Sequence, residues 1–510
     1  MSGVRMSENT NAQANAETNA QANAETDAQA NAQVGANIEG DTGADEHGHE
    51  PGSDSAGAGA GDHAATTQAL TAEVAALYPR MEAVSRAIHG RPELKFAEYH
   101  ASQVVTRWLA EAGFEITAPV GGVDTAFVAT HQGSTPDPYI TVIVEYDALP
   151  GVGHGCGHNL IAAGGAAAAI AVVRAQPGHT GTVAVIGTPG EEMGGAGKVR
   201  LAHAGVFDGV DAAVMFHPAD RSMTTQHALA AAHLRVCFTG VSAHAAKSPW
   251  EGRSALAAAQ LFLGALDTMR QFMPPTARVH GIVTDGGQAP NVVPARAVVD
   301  LYVRDSTVAS TEALVARVRK AADGAALATE TDAELSETGP MYAERRNNTV
   351  LAERFGDTVR ALGVAIGPGD ADSPAGSSDI GNLSQLMPVI HPYVQTADFG
   401  TPSHSDAMRE ASVTSLAHDR TGIAAVGLAR VVSDLLADSG FLAAARAEFA
   451  AGSGSGSMTG AGSGSVTETG SATEAGSVTG AEAGSRGVGT GTGKGTEAGA
   501  DRGRGRGSRK

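Results

Sequence analysis

Residues 140–144 (ITVIV) constrain the fold more than any other stretch, because the run is almost continuously apolar and polar residues follow it closely. Such a run is typical of a strand covered on both faces, as in the sheets of α/β proteins. Asp147 comes next, and then residues 154–158 (HGCGH). The thiol of Cys156 and the imidazole of His158 are ligands that borderline-soft divalent metals prefer. The stretch therefore predicts a metal site at the end of a buried strand.

Polar residues also follow other apolar runs of the chain. Glu191 and Glu192 come after a predicted strand at 183–186, and His217 follows the apolar run 212–216. His404 lies further along, within residues 401–406 (TPSHSD). Because ligand sites in open α/β sheets lie at the carboxyl ends of strands, we expect these side chains to share one site.

The two ends of the 510-residue chain differ in composition from its middle. Residues 1–65 contain an octad repeat with few large apolar side chains, and residues 452–510 are rich in Gly, Ser, Thr and Ala. Burial could not offset the entropy of ordering such segments, so both are predicted to be disordered tails. The remaining stretch, 66–451, is longer than one domain usually is.

Within this core, the order of predicted elements changes near residue 230. Before it, helices at 98–112 and 159–173 alternate with short strands. From 230 to 340 the pattern is β-α-β-β-α, which resembles a ferredoxin-like α+β fold. A helix at 415–436 follows His404. The sequence therefore predicts an α/β catalytic domain in two parts, 66–229 and 341–451, interrupted by a smaller lid domain at 230–340.

Charge and composition exclude several classes of partner. The formal net charge of −20 argues against nucleic acid and anionic membrane, since phosphate contacts need a basic face. We find no apolar run of the ~18 residues that a membrane span needs, and the N-terminus lacks the apolar segment of a signal peptide. The two cysteines give no disulfide framework. These features predict a cytoplasmic protein that binds neither nucleic acid nor membrane.

The adjacent carboxylates of Glu191 and Glu192 suggest two different roles, one as a metal ligand and the other as a general base. Two such groups do not both stay ionised in a dry pocket unless a cation lies beside them. Glu192 would then bind a metal, while Glu191 accepts a proton from a water whose pKa the metal lowers from ~15.7 toward ~7. Asp147 could orient a ligand imidazole.

Each of these residues also has a purely structural interpretation when it is taken alone. The histidines could be core-edge or loop residues, and the glutamates a solvated pair. As a set, five residues provide enough ligands for two divalent metals, which suits attack by an activated water on a carbonyl. They are Cys156, His158, Glu192, His217 and His404.

Several motifs resemble those of one enzyme family. Residues 145–150 (EYDALP) run into 153–160 (GHGCGHNL), and 188–192 (TPGEE), 207–211 (FDGVD) and 376–382 (GSSDIGN) add support. They resemble the co-catalytic metallopeptidase and amidohydrolase family of aminoacylases, hippurate hydrolases and p-aminobenzoyl-glutamate hydrolase. The likeness spans about 66–440 and is strongest to the branch of p-aminobenzoyl-glutamate hydrolase and the aminoacylase-like dipeptidases. It implies a zinc-exopeptidase-like catalytic domain, a mixed sheet flanked by helices.

The resemblance also implies roles for individual residues. Cys156 would bridge two metal ions, Zn or Mn, with the other four ligands around them, and Glu191 would be the general base. Asp147 matches the aspartate that steers metal-site geometry. His244, in residues 240–245 (GVSAHA), resembles a lid histidine that reaches a partner subunit's active site and there polarises the scissile carbonyl or stabilises the oxyanion. Asn291 and Arg304 correspond to substrate-binding positions, and the protein would be a homodimer through the lid domain.

Two departures from the family pattern leave the metal open. The peptidase branches carry a His where this chain has Glu145, and an Asp where it has Cys156. Thiolate favours zinc, whereas several relatives work with manganese.

Four functions fit these features. The first is a metal-dependent amidohydrolase or dipeptidase, acting on a small-molecule aminoacyl- or acyl-amino acid such as a dipeptide or p-aminobenzoyl-glutamate. The second is a simple N-acyl-amino-acid deacylase. The third is a non-catalytic metal-binding regulatory protein, although the base and every ligand are present. The fourth is a thiol redox protein built on Cys156, although no resolving cysteine lies nearby in the sequence.

Overall fold

A computed structural model describes residues 57–369 and 376–452 of the chain. Most of the two predicted tails, including the octad repeat, lies outside the described residues. Helix α1, Gly57–His89, begins before residue 66, where the catalytic domain was expected to start. Its buried side chains recur every three or four residues, which is the pattern of an amphipathic helix. They are Leu70, Val74, Leu77, Met81, Val84 and Ile88.

Short helices and strands alternate up to residue 219. They are α2 (Tyr99–Glu111), β1 (Glu115–Thr117), β2 (Phe127–Gln132), β3 (Tyr139–Val144), α3 (His158–Ala175), β4 (Thr182–Gly187), α4 (Gly197–His203), β5 (Ala212–Val214) and β6 (His217–Ala219). All but the first residue of β3 are buried, which agrees with its apolar sequence.

The next block forms a separate four-stranded sheet. Its elements are β7 (Ala230–Thr239), α5 (Ala255–Arg270), β8 (Arg278–Asp285), β9 (Arg296–Asp305), α6 (Val308–Thr329) and β10 (Asp332–Glu337). The strands are antiparallel in the order β10-β7-β9-β8, and both helices pack against this sheet. The sequence did not predict β10, because its residues are mostly polar and exposed at the edge of the sheet.

The chain then returns to complete the first sheet. The elements are α7 (Thr349–Ala361), α8 (Ile380–Leu383), β11 (Val389–Ile390), β12 (Tyr393–Gln395), α9 (Asp406–Ala411), α10 (Ser415–Ala437) and α11 (Ser439–Gly452). Six strands have the order β1-β2-β4-β3-β5-β11. Strands β4, β3, β5 and β11 are parallel to one another, β2 is antiparallel to its neighbour β4, and β1 is antiparallel to β2. This mixed sheet with flanking helices confirms the predicted α/β class.

Helix α3 lies at the centre of the main core. It packs against α1, α10 and β3, and its many alanines let these elements approach closely. A Cβ atom on Gly165 would lie 2.5 Å from Val144 Cγ1, so only glycine fits there. Among the described residues, α3 is also the one helix long and apolar enough to cross a membrane, although the sequence predicted no such run. Because 89% of it is buried inside the protein, we interpret α3 as a core helix.

Candidate metal centre

The ends of parallel strands bring the predicted site residues together. Asp147 follows β3, Glu191 follows β4, and His217 begins β6 just after β5. The loop after Asp147 leads through Cys156 to His158, the first residue of α3. Gly157, just before the helix, has φ of 76°, a left-handed conformation that favours glycine.

Two groups of possible ligands share Cys156. One consists of Cys156, His158 and His217, whose ligand atoms lie within 4.8 Å of one another. The other consists of Cys156, Glu192 and His404, again within 4.8 Å. The Cys156 Sγ lies 3.6 Å from His217 Nε2, and the His404 Nε2 lies 3.6 Å from Glu192 Oε1. All five predicted ligands therefore converge.

A third group connects the candidate base to the ligands. Glu191, Glu192 and His158 have ligand atoms within 4.8 Å of one another. Burial, together with the carboxylates of Glu192, Glu145 and Asp379, raises the pKa of Glu191 well above its ordinary value. A carboxylate in this position therefore needs nearby positive charge to act as a base near neutral pH.

Asp147 fixes the orientation of the His158 ring. Its Oδ1 lies 3.0 Å from His158 Nδ1, and its Oδ2 accepts a hydrogen bond of 2.9 Å from the Glu192 backbone N–H. The opposite nitrogen, His158 Nε2, is buried and has no hydrogen-bond partner in the described part of the chain, and the same is true of Glu192 Oε1. One aspartate thus positions a histidine and a glutamate, and the polar atoms that lack a hydrogen bond are suited to bind a cation.

The chemistry of the donors also fits a metal. Burial, followed by the Glu192 carboxylate, raises the pKa of the Cys156 thiol to about 12, so a thiolate here requires a compensating cation. Burial, followed by His158, lowers the pKa of His217 to about 4, which keeps its imidazole neutral, as a metal ligand must be.

A buried ion cluster that the sequence analysis missed lies beside these ligands. Lys198 Nζ contacts a carboxylate oxygen of Glu145 and lies 2.6 Å from Asp379 Oδ1. Although burial lowers it, the pKa of Lys198 is raised overall by Asp379 and Glu145. The other Glu145 oxygen lies 3.4 Å from His158 Nε2. In the sequence, Glu145 stood out as a departure from the family pattern and Asp379 lies in the motif 376–382, but nothing connected either residue to Lys198.

The loop that carries the two glutamates has a strained backbone. Met193 has φ of 56° within the 3₁₀ turn Glu192–Gly194, a conformation that non-glycine residues rarely adopt. Lys95 Nζ donates a hydrogen bond of 2.7 Å to the Met193 carbonyl, and Arg200 Nε donates one of 2.9 Å to the Gly195 carbonyl. These contacts hold the strained loop in one position.

The three predicted residues of the 230–340 block belong to none of the ligand groups. His244 is exposed, and its Nδ1 accepts hydrogen bonds from the backbone of the next turn. Asn291 is exposed as well, and its carbonyl accepts a hydrogen bond from the Ala245 N–H. Arg304 is half-buried, and its Nη1 donates a hydrogen bond of 3.2 Å to Ser377 Oγ.

Comparison with known proteins identifies the family. Peptidase family M20/M25/M40 matches residues 132–406 of the 510. The chain belongs to this family. The human Xaa-Arg dipeptidase is 35% identical over 72% of this chain and 88% of its own length. One of the subunits of p-aminobenzoyl-glutamate hydrolase from Escherichia coli (strain K12) is 34% identical over 70% of this chain and 89% of its own.

Solved structures of the M20 fold superpose on most of the chain. An aminobenzoyl-glutamate utilization protein from Klebsiella pneumoniae has a TM-score of 0.57 at 21% identity, covering 71% of this chain and 97% of that one. A dinuclear metal binding M20 peptidase from Bacillus subtilis has a TM-score of 0.54 at 21% identity, covering 71% and 99%. The predicted family is confirmed, and the protein is a metallo-amidohydrolase.

Proposed function

We propose that the protein hydrolyses the amide bond between a small acyl or aminoacyl group and an amino acid, with two divalent metal ions held by the predicted ligands. The observation that carries this proposal is the pair of ligand groups that share Cys156. When bound, two such ions would activate a water and polarise the scissile carbonyl. We assign Cys156 as the shared ligand and His158, Glu192, His217 and His404 as the others.

The remaining steps belong to the protein's own side chains. Glu191 takes a proton from the attacking water and returns it to the leaving amine. Asp147 positions His158 through the 3.0 Å contact. His244 of a second protomer stabilises the developing oxyanion, and Asn291 and Arg304 bind the substrate.

The names of two relatives guide the choice of substrate. One is described as an Xaa-Arg dipeptidase and the other as part of a p-aminobenzoyl-glutamate hydrolase, and both names denote an amide of an amino acid. We therefore infer that dipeptides and p-aminobenzoyl-glutamate-like amides are the substrates of this chain. Deacylation of simple N-acyl amino acids is the alternative.

A thiolate ligand supports zinc as the metal in the site, because soft sulfur ligands select zinc over manganese. Manganese remains the second candidate. Cys156 and Cys237 are both free thiols, which is typical of a reducing compartment and supports a cytoplasmic location.

We propose that residues 230–340 form the lid domain and the homodimer interface. Strand β8 lies at the edge of its sheet with Ile282 67% exposed, and Trp250 is 73% exposed in the same block. An exposed apolar edge strand is suited to pairing with another chain. A monomeric mass in solution at micromolar concentration would contradict this assignment.

The function is tested with a panel of dipeptides, p-aminobenzoyl-glutamate and N-acyl amino acids, in the presence of Zn²⁺ or Mn²⁺, by measuring released amine. We expect dipeptides or p-aminobenzoyl-glutamate to be cleaved fastest and a chelator to abolish turnover. Inactivity on the whole panel with both metals would instead favour the non-catalytic metal-binding role. Activity that resists chelators would favour thiol chemistry.

A further inference from the structure

Arg345 and His391 are two buried polar side chains that the proposed mechanism leaves without a role. Arg345 is 7% exposed and His391 is 1% exposed. Among the described residues, the guanidinium nitrogens Nε and Nη1 of Arg345 have no hydrogen-bond partner, and neither ring nitrogen of His391 has one. Burying a charge without a partner is costly, so an enzyme that retains such a group has a use for it.

Arg345 differs in this respect from the other buried cations of the described residues. Lys198 contacts the carboxylates of Glu145 and Asp379, and Arg430 Nε lies 2.9 Å from Asp434 Oδ2. Within residues 57–369 and 376–452, no carboxylate forms an ion pair with Arg345. Its positive charge is therefore not compensated by any carboxylate of the described residues.

The side chain of Tyr393 connects Arg345 to the metal centre. Arg345 Nη2 donates a hydrogen bond of 3.4 Å to Tyr393 Oη, and its guanidinium carbon lies 5.5 Å from the centroid of the same ring. The Tyr393 ring centroid lies 5.2 Å from that of His217, and the His391 centroid lies 5.4 Å from that of His217. His391 therefore packs beside a candidate metal ligand, and Arg345 is linked to that ligand through Tyr393.

The backbone of Arg345 also lies where the chain returns from the 230–340 block. Its N–H donates a hydrogen bond of 3.4 Å to the Ala228 carbonyl, and Tyr342 pairs with Ala231 through two backbone hydrogen bonds of 2.9 Å. The backbone of Arg345 is therefore held next to the connection to the lid, while its side chain contacts Tyr393 beside the metal centre.

We propose that Arg345, together with His391 and Tyr393, binds a carboxylate group of the substrate. The fork of N–H donors on a guanidinium matches a carboxylate in geometry and charge, and a histidine N–H and a tyrosine hydroxyl can donate to the same oxygens. This inference rests on the proposed function, because every substrate class proposed above releases an amino acid that carries a carboxylate. It assigns carboxylate recognition to the catalytic domain, in addition to the predicted lid residue Arg304.

The test compares an acid with its amide in wild type and in Arg345→Met, both loaded with metal. The probes are the fastest dipeptide of the panel and the same dipeptide amidated at its C-terminus. We expect Arg345→Met to reduce kcat/KM for the acid by about 30-fold or more, as for loss of one partner of a buried charge pair, and to leave the amide within about 3-fold. Arg345→Lys should recover part of the loss, because it keeps the charge without the fork.

Arg346→Met is the matched control, because Arg346 is the neighbouring arginine but packs over the ring of Phe449. It should keep the wild-type preference for the acid. Metal content and the unfolding temperature of each variant report whether a loss is merely structural. The proposal is overturned if Arg345→Met keeps the preference for the acid, or if only Arg304→Met removes it.

A second readout separates this proposal from the function itself. Calorimetric titration of the wild-type holoenzyme with L-arginine or L-glutamate, and with their amides, measures carboxylate binding without turnover. Weaker binding of the acids alone in Arg345→Met supports the carboxylate site even if no substrate of the panel is cleaved. Equal binding of acids and amides by the wild type rejects the site, whatever the panel shows.

Discussion

The hydroxyl of Tyr342 donates a hydrogen bond of 2.8 Å to the backbone carbonyl of Glu191. Tyr342 also pairs through its backbone with Ala231, at the two points where the chain enters and leaves the 230–340 block. The ring of His233 packs edge-on against the Tyr342 ring, with centroids 4.8 Å apart. The position of the candidate base is therefore tied to the connection between the two sheets.

Removing only this hydroxyl, in Tyr342→Phe, should lower kcat by about 5-fold, because the lost buried hydrogen bond is worth about 1 kcal/mol and no longer restrains the strained loop. KM and metal content should stay close to wild type. Tyr78→Phe is the matched control, since its hydroxyl donates to Asp419 at 2.6 Å between α1 and α10. Steady-state kinetics would contradict the expectation if both variants behaved alike.

Glu191→Gln should reduce kcat by roughly 10²–10⁴-fold, because the amide cannot accept the proton of the attacking water. Metal stoichiometry, measured by elemental analysis, should not change, since Glu192 and not Glu191 belongs to the group with Cys156 and His404. Glu192→Gln provides the contrast and should lose metal. Full turnover in Glu191→Gln would remove this residue from the mechanism.

Lys198→Met should destabilise the protein by about 3–5 kcal/mol, because it leaves the buried carboxylates of Glu145 and Asp379 without their cation. The measurement is the free energy of unfolding in urea. Lys320→Met removes an exposed lysine on α6 and should change this free energy by less than about 0.5 kcal/mol. Equal effects of the two substitutions would mean that the buried cluster adds little to stability.

Glu98 gives the folded protein a defined dependence on pH. Burial, followed by the Asp147 charge, raises the pKa of Glu98 from 4.5 to about 7, even though Thr125 Oγ1 and the Phe96 N–H donate hydrogen bonds to it. Between about pH 4.5 and 7 the folded state keeps a proton that the unfolded state releases, so the free energy of unfolding falls as pH rises. The loss is on the order of 3 kcal/mol.

Glu98→Gln should remove this contribution, since the amide cannot ionise and can still accept from the Phe96 N–H. The check is the difference in unfolding free energy between wild type and variant at pH 5 and pH 8. We expect the free energy of unfolding of the wild type, relative to that of Glu98→Gln, to be lower at pH 8 than at pH 5. If wild type and variant differed in unfolding free energy by the same amount at pH 5 and pH 8, Glu98 would have an ordinary pKa.

The candidate site residues were predictable because their signal is local. Each of Asp147, Glu191 and His217 follows an apolar run, and the geometry of parallel strands then brings their side chains to one edge of the sheet. Helix α10 was also predicted nearly to the residue, since its apolar periodicity and its Thr414 cap are both visible in the sequence.

The cluster around Lys198 could not be predicted in the same way. Asp379 lies 181 residues from Lys198 in the chain, and no periodicity connects the two. Arg345 and His391 gave no local pattern either. They stand out only in the folded chain, where buried polar atoms of both side chains have no hydrogen-bond partner among the described residues. Strand β10 was missed for another reason, since an exposed edge strand needs few apolar residues.

Helix α3 begins with a candidate ligand and continues into the main core, where all but its last two residues are buried. A larger side chain at Gly165 would push the helix away from β3 and carry His158 with it. A substitution in the interior of this enzyme can therefore be harmful in two ways. It can prevent the chain from folding, or it can leave the fold intact and change the spacing of the catalytic cations.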